Sequence, residues 1–92
     1  MTTNAGALAA AYATVAISAL TNANNEPWNP DANTGLTDAK AVDIVGYDSA
    51  DTYTVEWDHT QDAFVFATTA DGSNPGAGTD VGEVKVRVEG RR

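Results

Sequence analysis

The chain contains no cysteine and a single histidine, His59, among its 92 residues. It therefore has no means of forming a disulfide or a thiolate metal site, and one imidazole does not supply the ligand set of a zinc centre. Disulfides and metals are the usual supports of very small domains, and oligomerisation is the remaining common one. The sequence accordingly predicts no bound metal and no cofactor, and it favours a protein that is stabilised by partners.

Long apolar runs and basic residues are also scarce. No apolar segment approaches the roughly 20 residues that span a bilayer, and residues 1–4 lack the basic flank of a signal peptide. We therefore expect a soluble protein that is made in a cytoplasm and has no membrane partner. Five Lys and Arg stand against thirteen Asp and Glu, for a net charge of −8. Since non-specific nucleic-acid binding requires a concentrated basic patch, no nucleic-acid partner is expected.

The acidic residues show a further bias. Nine of the thirteen acids are Asp, and the only lysines are Lys40 and Lys85. Such a composition is typical of proteins that work in multimolar salt, where dense carboxylates hold water and keep the chain soluble. At low salt the same carboxylates repel one another and loosen the fold. The sequence thus predicts a halophilic protein, with an ordinary acidic surface domain as the alternative.

The clearest local pattern is a two-residue alternation of hydrophobic and polar side chains, which predicts half-buried β-strands. In the segment 53–58, Tyr53, Val55 and Trp57 fall on one face. In the segment 79–90, three valines alternate with charged residues: Val84, Val86 and Val88 against Glu83, Lys85, Arg87 and Glu89. Two further strands are predicted at 41–47 and 63–67. In the former, Val42 and Ile44 are expected on one face, and Asp43, Val45 and Tyr47 on the other.

The N-terminal half is more ambiguous. Residues 5–12 are alanine-rich and favour a helix by propensity, whereas the alternation of branched residues over 14–20 favours a strand. We favour an extended arm over residues 1–12 that leads into a single β domain over 13–92. Residues 22–34 are rich in Asn and Pro, which predicts a long loop around Trp28. A short capped helical piece is predicted at 34–39.

These elements predict an all-β fold: a small antiparallel β-sandwich or jelly-roll-like barrel of about five strands with an extended N-terminal arm. An enzyme is not expected. Catalysis requires a nucleophile with a base, or paired carboxylates, inside a pocket, whereas His59 lies in a predicted hairpin loop far in sequence from Ser18, Ser49 and Ser73.

The order of the elements carries a resemblance to a known family. The segment 53–58 reads Tyr-Thr-Val-Glu-Trp-Asp, and a Gly-rich loop leads to Gly78-Thr79-Asp80 and the valine-rich closing strand. Over roughly residues 34–91 this arrangement resembles small structural proteins of tailed bacterial and archaeal viruses. The resemblance implies an all-β knob on the virion surface, a capsid decoration or turret protein that binds the major capsid protein as a homotrimer or homopentamer. The acid load suggests a haloarchaeal virus, with assembly of the virion in the host cytoplasm.

Within that reading, five residues are predicted at the capsid or subunit interface: Leu8, Tyr12, Trp28, Arg91 and Arg92. The first two lie at the end of the arm, which is expected to add backbone hydrogen bonds to a capsid edge strand. An aromatic residue on the long loop either fills the core or anchors an interface. The terminal arginines are expected to pair with carboxylates of a neighbouring subunit or to remain solvated.

A cation-dependent binding or adhesion module is the alternative function. Asp residues cluster in three loops, at 48–51, 58–62 and 71–74, and calcium prefers several oxygen ligands at once. None of these loops has the Asp-x-Asp-x-Asp-Gly pattern of a calcium loop. Since turns also select Asp for conformational reasons, the sequence predicts no specific metal ligand.

Overall fold

The structure, a computed structural model, describes residues 8–91. Its elements in chain order are β1 (Leu8–Ile17), β2 (Asn25–Pro27), α1 (Pro30–Thr34), β3 (Asp38–Tyr47), β4 (Tyr53–Asp58), β5 (Ala63–Thr68) and β6 (Gly82–Arg91). Strands hold 53% of the described residues and helix 6%. The predicted all-β class is confirmed. No helix in the described part of the chain is long and apolar enough to cross a membrane.

Two three-stranded antiparallel sheets make up the fold. The first sheet has the order β1-β6-β3, and the second has the order β2-β5-β4. The last strand, β6, is therefore the centre of the first sheet. Its Val84 lies opposite Val15 on one side and opposite Tyr47 on the other. The turn between β3 and β4 carries the chain from the first sheet to the second.

The core lies between the inner faces of the two sheets. The buried hydrophobic residues are contributed by both sheets and the loops: Ile17, Leu20, Leu36, Phe64, Phe66, Val81, Val84, Val86 and Val88. Phe64 is fully buried, and its ring contacts Trp28 and Trp57, with centroids 5.6 and 5.0 Å away. Burial of these side chains is the main source of stability, because the hydrophobic contribution grows with the apolar area removed from water.

The alternation predicted for β6 and β4 is confirmed. Val84, Val86 and Val88 are at most 1% exposed, while Glu83 and Lys85 are exposed to solvent. In β4, all three residues predicted on one face pack against the core: Tyr53, Val55 and Trp57. Thr54 and Glu56 lie on the solvent side. Each of these strands has one dry and one wet face, as the period of two requires.

The start of the first strand requires a correction. β1 begins at Leu8, so residues 8–12 of the predicted arm pair with β6 from Arg91 to Arg87. Residues 1–7 lie outside the described residues. The alanines favour a strand here because Ala9, Ala11 and Ala13 are small enough to pack against the core from the edge of the sheet. Removal of residues 1–12 would therefore delete half of β1, and not only an arm.

The predicted loop at 22–34 also requires a correction, because it contains β2 and α1. α1 begins at Pro30, whose fixed φ suits the first helical position, and the Asn29 side chain accepts hydrogen bonds from the amides of Asp31 and Ala32. Gly35 ends the helix with a left-handed φ of 75°. The helical piece predicted at 34–39 was wrong, since the capping residues lie one turn earlier.

The face of Tyr47 is the third correction. The register between β3 and β6 shifts between Ile44 and Gly46. One additional residue in a strand reverses the facing of every side chain that follows. Tyr47 therefore packs against the core with Val42 and Ile44, and Val45 remains exposed on the opposite face.

Candidate docking surface

The outer face of the first sheet, which points away from the core, carries unusually exposed hydrophobic side chains. Leu8 is 66% exposed, Tyr12 is 74% exposed and Val45 is 61% exposed. In the described part of the chain these three are the exposed large hydrophobic residues, and we call them the outer patch. Scattered exposed apolar residues are ordinary on proteins. Concentration on one sheet face is informative, because such patches mark interaction sites.

A shallow hollow of about 200 Å³ lies within this face. Tyr12 and Thr14 line it from β1, Lys85 lines it from β6, and Val45 lines it from β3. The bulge in β3 creates the hollow, since it turns both Val45 and the side-chain-free Gly46 towards the position opposite Lys85. All three strands of the sheet therefore contribute to one largely apolar depression, and Lys85 is the cation among the residues that line it.

Ion pairs hold the other cations of this face in place. Arg87 Nη2 lies 3.1 Å from Glu89 Oε2, and Arg87 Nη1 lies 3.9 Å from Asp43 Oδ2. The hydrogen bond to Glu89 is the main cause that raises the pKa of Arg87, and Tyr12 contributes. At one end of the sheet, Arg91 Nε lies 3.8 Å from Asp38 Oδ2. The Arg87 pairs lie along the central strand β6 of this face, and exposed pairs of this kind add little to stability.

The charges divide between the two parts of the molecule. The strands of the first sheet hold four cations and four acids: Lys40, Lys85, Arg87 and Arg91 with Asp38, Asp43, Glu83 and Glu89. The other nine acids lie in the second sheet, in α1 and in the loops, where the described residues include no Lys or Arg. The first sheet is therefore electrically balanced, whereas the rest of the surface is strongly acidic.

The five predicted interface residues do not form one surface. Leu8 and Tyr12 lie on the outer face, and Arg91 lies at the end of β6 in contact with Asp38 of its own chain. Trp28 is half-buried and packs edge-on against Trp57, with ring centroids 6.2 Å apart. It belongs to the core, which was the other role open to it. Arg92 lies outside the described residues.

Sequence reasoning missed Val45, Lys85 and Arg87 as members of this surface. The exposure of Val45 was visible in the alternation of β3, which predicted it opposite Ile44. Its association with Tyr12 was not visible, because it depends on β6 lying between β1 and β3. An uneven distribution of the few cations along the chain was the one available signal.

The other surface features include loops and a hollow that is larger than the one on the outer face. That hollow, of about 520 Å³, lies between α1, β3 and the β4–β5 loop, and His59 and Asp62 are the titratable residues among those that line it. The loop carboxylates serve turns: hydrogen bonds from Thr68 and Ser73 lower the pKa of Asp71 to about 2, and those from Thr60 and Gln61 lower the pKa of Asp58. Over residues 8–91, no group of three His, Cys, Asp or Glu side chains is placed to hold a metal ion.

Comparison with known proteins adds no relative to this description. The chain matches no protein-family model, no curated protein and no solved structure. The resemblance to virion structural proteins and the absence of an enzymatic activity therefore stay predictions.

Proposed function

We propose that this protein is a non-enzymatic structural protein of a tailed virus, which decorates the capsid or forms turrets on it by binding the lattice of the major capsid protein. The outer face of the first sheet is the docking face. One observation carries the proposal: the outer patch lies on the sheet whose charges balance, in a molecule that is otherwise acidic.

Docking removes water from both surfaces, so it favours the face of the protein whose desolvation costs the least free energy. Interface centres are depleted in charged residues and enriched in aromatic ones. Tyr12 and Val45 supply aromatic and apolar surface on the two edge strands β1 and β3, and they flank the hollow that would receive a side chain of the partner. A docking face on the second sheet would instead bury Glu56 or Asp58 without a neighbouring cation.

The ion pairs of Arg87 lie between the two edge strands that carry the outer patch, because Arg87 belongs to the central strand β6. Arg87, Glu89 and Asp43 form a fixed arrangement of charge beside Tyr12. Complementary charges across an interface determine orientation and partner choice more than affinity. The outer patch would therefore supply affinity, and the paired charges would select one orientation on a repeating lattice.

The acidic surface outside the first sheet suits exposure to a salt-rich medium. A decoration protein keeps one face on the capsid and presents the rest to the medium. Carboxylates bind water strongly, which keeps a surface soluble when salt screens net charge. An acidic exterior opposite a balanced sheet is the distribution expected of a haloarchaeal virion component.

Val45→Glu is expected to abolish docking without unfolding the protein. The substitution adds a carboxylate beside the hollow of the outer face, where binding would bury it, and we expect affinity to fall at least about tenfold. The measurement is co-sedimentation with capsids assembled from the major capsid protein encoded in the same genome. Thr54→Glu is the matched control, since Thr54 is an exposed strand residue on the second sheet.

Three results would contradict the proposal. The unmodified chain would fail to sediment with the capsids, or Thr54→Glu would reduce binding as much as Val45→Glu, or the genome would encode no capsid protein. The first and third results would reject the viral function. The second would reject the outer face as the docking surface.

Salt is expected to stabilise the fold strongly. Nine acids outside the first sheet repel one another when the Debye length is long, and at about 2 to 3 M salt that length falls below about 3 Å. We expect the midpoint of thermal unfolding, followed by circular dichroism, to rise continuously from low salt to molar salt. A melting temperature that does not change with salt would contradict the halophilic interpretation.

A further inference from the structure

β1 is an open sheet edge of unusual length and composition. It pairs with β6 over ten consecutive residues without a register shift. In the described part of the chain, its one other backbone hydrogen bond runs from the Val81 amide to the Ile17 carbonyl, on the side where β6 begins. Within residues 8–91, the opposite side of β1 thus presents amides and carbonyls that have no backbone partner. The strand contains no charged residue, no Pro and no Gly.

The other three edge strands are protected against pairing. β2 has only three residues and ends in Pro27. β3 has two register shifts, and the side chain of Asp31 accepts a hydrogen bond from the Ala39 amide. β4 carries Glu56 and Asp58. Proteins protect exposed edges by these devices, namely short length, Pro, bulges and charge. Only β1, among the edges that the structure describes, has none of them.

We infer that β1 pairs antiparallel with β1 of a second copy of this chain, across a twofold axis perpendicular to the first sheet. The distribution of charge favours a second copy of this chain as the partner of β1. A symmetric contact places like residues together, which in a chain with net charge −8 brings acid against acid on most surfaces. At β1 every residue is neutral, so two copies meet without like-charge contact.

The twofold axis determines which side chains of the two β1 strands lie opposite each other. Rotation about an axis perpendicular to the sheet reverses strand direction and leaves each side chain on its own face, so outward residues lie opposite outward residues. With the axis at Tyr12, Ala10 lies opposite Thr14 and Leu8 opposite Ala16. With the axis one residue further, Tyr12 lies opposite Thr14. Both registers give a continuous sheet of six strands with the order β3-β6-β1-β1-β6-β3.

The charged strands stay apart in this arrangement. Two β1 strands separate the β6 strands of the two copies, and at a strand spacing of about 4.8 Å that distance is about 14 Å. The distance exceeds the Debye length of about 8 Å at physiological salt. The pairing closes after two copies, so it predicts a dimer and not the trimer or pentamer implied by the family resemblance. It holds whether or not the docking partner is a capsid.

The absence of cysteine permits a direct test by single-cysteine crosslinking. Ala10, Tyr12, Thr14 and Ala16 all point outward from β1, and each is replaced in turn by Cys in the full-length protein. Disulfides require Cβ atoms about 3.5 to 4.5 Å apart. In a twofold antiparallel pair, a residue of one copy lies opposite a residue of the other only when their two numbers add to one constant, which the register sets. Only such pairs come within disulfide distance, because a residue two positions from the axis lies about 13 Å from the same residue in the other copy.

The variants are oxidised singly and as mixed pairs with oxidised glutathione, and the solution mass is measured by light scattering. We expect the solution mass to be twice that of one chain. Disulfide dimers should form only for pairs of positions whose numbers add to the same constant, and they should form at least tenfold faster than in the control Thr54→Cys. A monomeric, trimeric or pentameric mass would overturn the inference, as would crosslinking at all β1 positions alike. Val45→Glu should keep the dimeric mass, which separates a failure of pairing from a failure of docking.

Discussion

Val86→Asp is expected to unfold the protein. Val86 is 1% exposed at the centre of β6, where it lies opposite Ala13 on β1 and Ile44 on β3. A carboxylate there would lose its water and gain no cation, because no polar or charged side chain is buried among those that the structure describes. Burial of an unpaired charge costs several kcal/mol, and the whole stability of a small domain is only about 5 to 15 kcal/mol.

Urea titration followed by tryptophan fluorescence in about 2 M salt measures the effect, because Trp28 and Trp57 contact the core at Phe64. Lys85→Asp is the matched control. It introduces the same carboxylate one residue away on the exposed face of β6, and its cost should stay within about 1 kcal/mol. Val86→Ala should remain folded and lose about 1 to 3 kcal/mol. A cooperative transition in Val86→Asp close to that of the parent would show that β6 is not the core strand.

The contrast between these neighbours explains why β6 and β4 were predictable. When valine alternates strictly with charged residues in a half-buried strand, only one orientation is possible: the valines face the core, because each charged side chain must contact water. The sequence therefore determined which faces of β4 and β6 lie inside. It did not determine that β6 lies between β1 and β3, because that position depends on contacts between residues far apart in the chain, such as Ala13 with Val86 and Ile44 with Val86.

Three predictions were wrong where the sequence pattern was weak, and each error has a physical reason. The alanines of β1 favour a helix by propensity, and pairing with β6 overrides that preference. α1 depends on the local combination of Asn29 and Pro30 within a segment whose overall composition favours a loop. Tyr47 was assigned to the wrong face because a bulge has no clear signature in a single sequence.

The candidate surface was predictable only in part. Leu8 and Tyr12 were predicted at an interface as ends of an arm, and they are exposed as parts of a strand. Trp28 was open to both a core and an interface role; it packs against the Trp57 and Phe64 rings, and the interface role stays a prediction. The balance of charge in the first sheet was beyond sequence reasoning, because Asp38 and Asp43 meet Arg91 and Arg87 only after β3 and β6 pair.

That pairing depends on close approach at one position. Gly90 lies in β6 between Ala9 of β1 and Ala39 of β3. A Cβ atom at this residue would lie 2.6 Å from the Asp38 carbonyl oxygen and 2.9 Å from the Ala39 Cα. Both contacts are with backbone, which cannot rotate away as a flexible side chain does. Glycine is therefore required here for space, since its φ lies outside the left-handed region.

Gly90→Ala is expected to destabilise the protein by about 1 to 3 kcal/mol and to separate the start of β3 from β6. The separation would also weaken the hydrogen bond from the Thr37 amide to the Arg91 carbonyl, which is 2.7 Å long. Urea titration gives the stability, and amide hydrogen exchange locates the opening, which should be confined to residues 37–41 and 89–91.

Gly46→Ala is the matched control for this prediction, because it adds the same methyl group to a strand of the same sheet. Nothing lies within 4 Å of a Cβ at Gly46, and its φ is also outside the left-handed region. The alanine should be tolerated or should stabilise the fold by up to about 1 kcal/mol, since it restricts the unfolded chain. Equal stability of the two variants would show that β3 does not approach β6 closely at Asp38, and the balance of charge that depends on this pairing would then lose its structural basis.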